Sequence, residues 1–250
     1  MITSRQNPWV KRVRSLKDKK NRDALAAYVA EGAKSVAEAL KCGAKPLFIG
    51  ATKDGAALVQ NTVAKYAAGV LSEILSDDVF KSISEDVSPQ GVIAVLEKPS
   101  LTLKKPNGTC LYLDGVSDPA NVGAIIRTAA ACGIKDIYAA EGSADAYSPK
   151  AVRASMGGIF RVNVYSGGRK ELLDAIDLPL IVADMDGENV FNSKIAGDFC
   201  LCVGNEAHGV SDYAMSRAAR IVAIPMKNGM ESLNAAVSAG IIIYALTINK

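Results

Sequence analysis

The chain has 250 residues, 29 Lys and Arg against 26 Asp and Glu, a formal net charge of +3 and 49% hydrophobic residues, which is enough apolar material for a real core and excludes a disordered tail. One histidine, His208, excludes sites built on two or three His ligands, and five Cys without a CxxC pair exclude a zinc ribbon and speak against a disulfide framework, so no metal site is expected. No apolar run approaches the ~20 residues of a membrane helix and the opening MITSRQNPWVKRVRS is too polar for a secretory signal, so a cytoplasmic protein with no membrane partner is expected.

Residues 1–22 hold eight Lys and Arg against Asp18 alone, a net charge of +7, while the rest of the chain is mildly acidic at −4. Such asymmetry implies either a solvated helix face or an anionic partner, and Trp9 in NPWVKR adds a candidate stacking group that favours nucleic acid. An Arg-rich transit peptide fits less well, because the run has many Lys and few Ser. Next, AAYVAEGAKSVAEALKCGAKP reads as a strand entering a helix that Gly43 closes, and PLFIGA, Val70–Leu75 and GVIAVLE read as further strands. A first α/β module is therefore expected over 1–98, followed by a Pro-, Gly- and Lys-containing linker at 99–108.

Residues 109–250 alternate. CLYLD, KDIYAA, RVNVY, PLIVADMD, FCLCVG and RIVAIP read as buried strands, with Cys200 and Cys202 on one strand face. PANVGAIIRTAAACG, SPKAVRASM, SDYAMSRAA and SLNAAVSAGIIIYALTI read as helices. The pattern predicts an α/β domain with a mostly parallel sheet covered on both faces, its ligands at the carboxyl ends of the strands. Three polar, Gly-rich loops leave those ends: GVSDPANVG, GNEAHGVS and PMKNGMESLN. None is a GxGxxG or a P-loop, which disfavours an oxidoreductase or NTP-binding reading.

DPANVGAIIRTA, VGNEAHGVS and IPMKNGMESLNAAVSAGIIIYAL resemble, in order and spacing, the three motifs of the SpoU (TrmH-like) RNA ribose methyltransferases of the SPOUT superfamily. NPWVKRVRSLKDKKNRDALAAYVAEGAKSVAEAL is similar to the substrate-binding unit, L30e-like, that precedes the catalytic domain in a subset of these enzymes. The resemblance implies S-adenosyl-L-methionine as donor, a ribose 2′-hydroxyl as acceptor, and a C-terminal trefoil knot that chain-connection rules alone would not predict. It also implies ribosomal RNA of the 23S type as substrate, with transfer RNA second, and a homodimer. A non-catalytic RNA-binding module of the same fold is the alternative.

Arg127 is the residue the resemblance offers for activating the hydroxyl. It acts either as a base or, staying charged, as a grip on phosphate and a stabiliser of developing alkoxide. In an otherwise apolar helix stretch, a buried charge without a partner would point to function. Asn121 reads as a helix-start residue, and Glu206 as a cap or an acceptor for backbone amides; the resemblance places both in the active site. Ser232 and Asn234 begin the last helix, where an N-cap and a site role are compatible. By the same resemblance Gly204, Ile224 and Leu233 contact the cofactor, although the last two pass for core residues on sequence alone. Finally, Ala235–Ile248 is apolar nearly all round, so as a terminal helix it needs cover beyond its own sheet.

Overall fold

The computed structural model describes residues 1–230 and 232–247. It forms two compact units, one comprising Met1–Ser100 with Tyr147–Phe160 and the other Leu101–Ala146 with the chain from Arg161 onward. Among the described residues, no helix is long and apolar enough to cross a membrane.

The first unit begins with α1 (Pro8–Ser15) and α2 (Lys19–Ala24). Asn7 caps α1 by accepting the Trp9 N–H at 2.9 Å, and Pro8 presets the first turn. There follow β1 (Ala27–Glu31), α3 (Ala33–Lys41), β2 (Pro46–Ala51), α4 (Lys53–Tyr66), β3 (Ser72–Ile74), α5 (Asp77–Ile83) and β4 (Val92–Glu97). The sheet order is β1-β4-β2-β3, with β4 antiparallel to β1 and β2 and β3 parallel to β2. Val10, Val13 and Leu16 bury themselves with Phe48, Ile93 and Val95, so the basic segment is part of this core and not an appended arm.

That changes the reading of its side chains. The Trp9 ring lies parallel to Phe48 at 4.7 Å between centroids and carries Arg12 over it, so it is a packing residue and not a free stacking group. Arg22 is buried and donates to the carbonyls of Leu16 and Lys17 at 2.8 and 2.6 Å. Lys17 pairs with Glu85 and Lys19 with Asp23. Arg5, Lys11 and Lys20 are exposed and have no ion pair among the described residues.

In the second unit β5 (Cys110–Asp114) leads into α6 (Pro119–Ala131) and β6 (Asp136–Ala140). The chain then leaves for the first unit, where α7 (Pro149–Ala154), capped by Ser148, packs along β1 and Tyr147 meets Tyr28 edge-on at 5.0 Å. The expected boundary at 99–108 had assigned this helix to the second module. Its sequence shows only that it is a helix; its buried Ala151 and Val152 find their cover on the earlier sheet.

The chain returns as β7 (Asn163–Gly167), α8 (Arg169–Asp174), β8 (Leu180–Asn189), β9 (Cys200–Gly204), α9 (Asp212–Met215), β10 (Ala218–Ala223) and α10 (Ala235–Thr247). Every pairing in the six-stranded sheet, order β10-β8-β9-β5-β6-β7, is parallel. Alternate residues supply the two faces. Cys110, Tyr112, Tyr138, Cys200 and Cys202 pack with Leu172, Leu173 and Ala214 of α8 and α9. α10 packs on β9 and on α6, so α6 supplies part of the cover expected for the terminal helix. Ile248, at the end of the expected helix, lies outside the described residues.

Candidate active site

A parallel sheet places all its strand-to-helix loops on one edge, and here the loops after β5, β9 and β10 meet through side chains. Asn121, in the first turn of α6, donates from Nδ2 to Glu206 Oε1 at 2.8 Å. Its Oδ1 accepts from Asn234 Nδ2 at 2.9 Å. The other Glu206 oxygen accepts from the backbone N–H and hydroxyl of Ser117 at 3.3 and 3.2 Å. Thus Asn121, Glu206 and Asn234, each from a different sequence motif, form one hydrogen-bonded trio.

Local structure explains the placement. Asp118, and not Asn121, caps α6, accepting the Ala120 N–H at 2.7 Å, which leaves the Asn121 amide available. Asn234 holds two roles at once: its Oδ1 accepts the N–H groups of Ala236 and Val237 at the start of α10 while its Nδ2 reaches Asn121. Partial burial acts to raise the Glu206 carboxyl. Hydrogen bonds from Asn121, its own backbone N–H and Ser117 outweigh that and hold it below the ordinary carboxylate range.

Arg127 departs from expectation. It is exposed on α6 and has no ion pair or hydrogen bond among the described residues, so the argument from a buried charge does not hold. Helix geometry carries it ~9 Å along the axis and ~120° around it from Asn121. Ser232 is exposed and bonds to none of the trio among the described residues.

Beside the loops lies a cavity of about 450 Å³, lined by Met185, Asp186, Gly187, Asn189 and the run Ala223–Met226 with Met230. Ile224 belongs to this lining; Gly204 and Leu233 do not. Gly204 has a different local reason: a Cβ there would lie 2.5 Å from Val210 N, so only glycine lets the loop fold back on the strand. Gly187 is equally confined, its Cβ falling 2.6 Å from Val222 N on β10. His208 is exposed, and among the described residues it only donates its backbone N–H to Asn205 Oδ1.

Sequence reasoning missed a second polar cluster behind the trio. The Asp114 carboxylate, fully buried at the end of β5, accepts Arg169 Nε at 2.8 Å through one oxygen. Its other oxygen accepts the Ser211 N–H at 2.8 Å and the Ser211 hydroxyl at 2.6 Å. Arg169 also reaches Glu141 at 3.2 Å, and its hydrogen bond to Asp114 raises its guanidinium above the ordinary value. The available signal was an acid ending an otherwise apolar strand, LYLD, which cannot stay buried without partners.

Two family models match the chain. The SpoU rRNA Methylase family covers residues 108–244 and the MRM3-like substrate binding domain covers residues 7–94. The chain is 30% identical over 251 residues to the 23S rRNA (guanosine(2553)-2′-O)-methyltransferase RlmP of Bacillus subtilis, covering 98% of each. It superposes on the AdoMet-bound rRNA methyltransferase from Sinorhizobium meliloti with a TM-score of 0.87 at 30% identity, over 98% of this chain and 95% of that one. On the AdoMet complex of the SpoU methyltransferase AviRb from Streptomyces viridochromogenes the TM-score is 0.85 at 25% identity, over 98% of each.

Proposed function

Because the chain belongs to the SpoU rRNA methylase family, we propose that it methylates a ribose 2′-hydroxyl of 23S-type ribosomal RNA, working in the cytoplasm. It is an S-adenosyl-L-methionine-dependent enzyme. The observation that carries the reading is the Asn121–Glu206–Asn234 trio, which unites the three motifs at the carboxyl edge of the sheet.

The residues present fit the cofactor. The cavity falls within the ~300–1,000 Å³ typical of small-molecule sites, with Met and Ile faces for an aromatic base and Asp186 and Asn189 as polar groups. Ile224 lines it, and Gly204 and Leu233 join the binding surface from the neighbouring loops. S-adenosyl-L-methionine supplies a sulfonium methyl group, already activated and in need of no metal. The protein's task is to place and polarise the acceptor.

With one N–H bound to Glu206 and one lone pair to Asn234, Asn121 keeps one donor and one acceptor position for the ribose. Glu206, held ionised, is a weak base and serves to orient Asn121. Arg127, an exposed cation without an intramolecular partner among the described residues, grips the adjoining phosphate and stabilises charge developing on the 2′-oxygen. Ser232, exposed beside Asn234, contributes a hydroxyl to the same surface. The first unit acts as an L30e-like RNA-binding unit.

Two further features belong to this reading. A C-terminal trefoil knot is the first, and the tight approach of Gly187 to Val222, without room for a Cβ, suits it. The chain also pairs as a homodimer through α10, where Val237 and Tyr244 remain 50% and 43% exposed on an apolar helix. Sedimentation of the full chain tests the dimer: Tyr244→Arg should yield monomers, and a wild type that is monomeric at tens of micromolar sinks it.

The function is tested by mapping 2′-O-methyl sites in total RNA from a strain lacking the gene. Loss of one site in 23S rRNA, restored by the purified protein and S-adenosyl-L-methionine, is expected. Loss in transfer RNA instead would replace the substrate assignment. No lost site, together with no cofactor binding by calorimetry, would leave a non-catalytic RNA-binding module.

A further inference from the structure

The loop that carries Glu206 is closed by hydrogen bonds of its own. Asn205 and Gly209 close it with reciprocal backbone bonds at 2.8 and 3.0 Å, and Gly209 adopts a left-handed φ of 68°. Asn205 Oδ1 accepts the N–H groups of Ala207 and His208. What fixes the turn relative to the sheet are two ties to the end of β5. Asn205 Nδ2 donates to the Gly115 carbonyl at 2.8 Å, and Ser211 donates twice to Asp114. Glu206 lies between these ties.

The Asp114 carboxylate is fully buried, so each of its hydrogen bonds is made away from water and removal of any one leaves an uncompensated group. Arg169 orients the carboxylate. Its Nη2 lies in the space that Gly115 and Gly142 leave open, 3.5 and 3.6 Å from where their Cβ atoms would stand, and its Nη1 reaches Glu141. Asp114, Glu141 and Arg169 together carry a net negative charge, which speaks against Arg169 being a phosphate contact and for an internal role.

We propose that Asp114 and Arg169 are positioning residues for methyl transfer: the buried carboxylate, aimed by the guanidinium, clamps Ser211 and so sets the turn whose Glu206 orients Asn121. The clamp itself is independent of what the enzyme methylates, while its consequence for catalysis rests on the function proposed above.

Asp114→Asn is the discriminating change. An amide of the same shape cannot accept on both edges, so its NH₂ must face either the Ser211 N–H or Arg169 Nε. Hydrogen exchange followed by mass spectrometry, with no RNA present, should show the 205–211 amides exchanging at least ~10-fold faster in the variant. β6 and α6 should remain protected. Methyl transfer from labelled S-adenosyl-L-methionine to a 23S rRNA transcript should fall by at least ~10-fold in kcat, whereas in a Glu206→Gln background the same change should cost less than ~2-fold, because the two act in series.

Arg169→Lys should retain more activity than Arg169→Ala, and Ser211→Ala, which keeps the backbone bond, serves if Asp114→Asn does not fold. Unchanged loop exchange in a folded variant overturns the clamp. Equal losses in both Glu206 backgrounds overturn its action through Glu206. A wild type that transfers no methyl group while its variants still loosen the loop would refute the enzymatic reading and leave the clamp standing.

Discussion

Arg127 shows how an argument from sequence surroundings can fail at a single residue. Its sequence surroundings suggest burial, yet it stands exposed because α6 buries Val122, Ile125, Ile126 and Ala129 and turns this position outward. Its exposure, with no intramolecular partner among the described residues, fits the phosphate contact proposed above. Arg127→Ala should lower methyl transfer by at least ~100-fold while leaving cofactor binding by calorimetry and the melting temperature close to wild type. Glu206 leads to a prediction about pH. Its carboxyl is held below the ordinary ~4.3 of glutamate, so whatever it contributes to stability or order is fully present above ~4.3 and is lost only as pH falls through the lower folded value. Glu206→Gln should therefore reduce kcat but leave the shape of the pH profile between pH 5 and 8 unchanged. Disappearance of an ionisation in that range would mean Glu206 serves as the base after all. Ser117, Asp114 and Arg169 were not legible as site residues, because their partners lie 28 to 97 positions away along the chain and only the folded sheet unites them.

At the scale of elements the sequence was more informative. Apolar runs between Gly- and Pro-rich loops located the strands of both sheets, since a strand buried on both faces in a parallel sheet needs continuous apolar residues. The order of those strands, and the mixed pairing around β4, depend on contacts that periodicity does not encode. Short α8, 6 residues long, gave no separate signal, whereas α9, 4 residues long, lies inside the expected helix SDYAMSRAA. β8 illustrates a different limit. It pairs with β10 over Leu180–Val182, breaks register, and pairs again at Glu188 and Asn189, leaving the intervening residues beside the cavity. Gly187 is the pivot of that detour. Gly187→Ala should destabilise the fold by more than ~2 kcal/mol, because the obstructing atoms belong to backbone and cannot rotate aside. Thermal melting with and without S-adenosyl-L-methionine would measure both the loss and any weakened stabilisation by the cofactor. A melting temperature equal to wild type would show that β10 can shift at little cost.

For the whole molecule, the charge asymmetry survives while its interpretation narrows. Of the basic N-terminal residues, Arg12, Lys17, Lys19 and Arg22 are engaged within the first unit, and deleting the segment would remove part of the core. Arg14 is exposed and donates to Ser82, and Arg5, Lys11 and Lys20 remain as exposed cations without an ion pair among the described residues. Replacing all three with Ala should flatten the dependence of log affinity for RNA on log salt by about 2 to 3, with cofactor affinity unchanged. An identical slope would leave this face without a role in binding.

The excursion of Tyr147–Phe160 bears on how the protein is made. The N-terminal unit lacks the helix that flanks β1 until translation has passed residue 160, some 60 residues after the unit's first segment ends. At ~5–20 residues per second, that interval lasts roughly 3–12 s. During it Tyr28 and its neighbours on β1 have no α7 to cover them, so the nascent unit cannot close on its own before β5, α6 and β6 have been synthesised. A gene divided at residues 99–108 would likewise give one piece missing a helix and another carrying α7 without the β1 that covers its Ala151 and Val152. The two units are thus interdependent in birth.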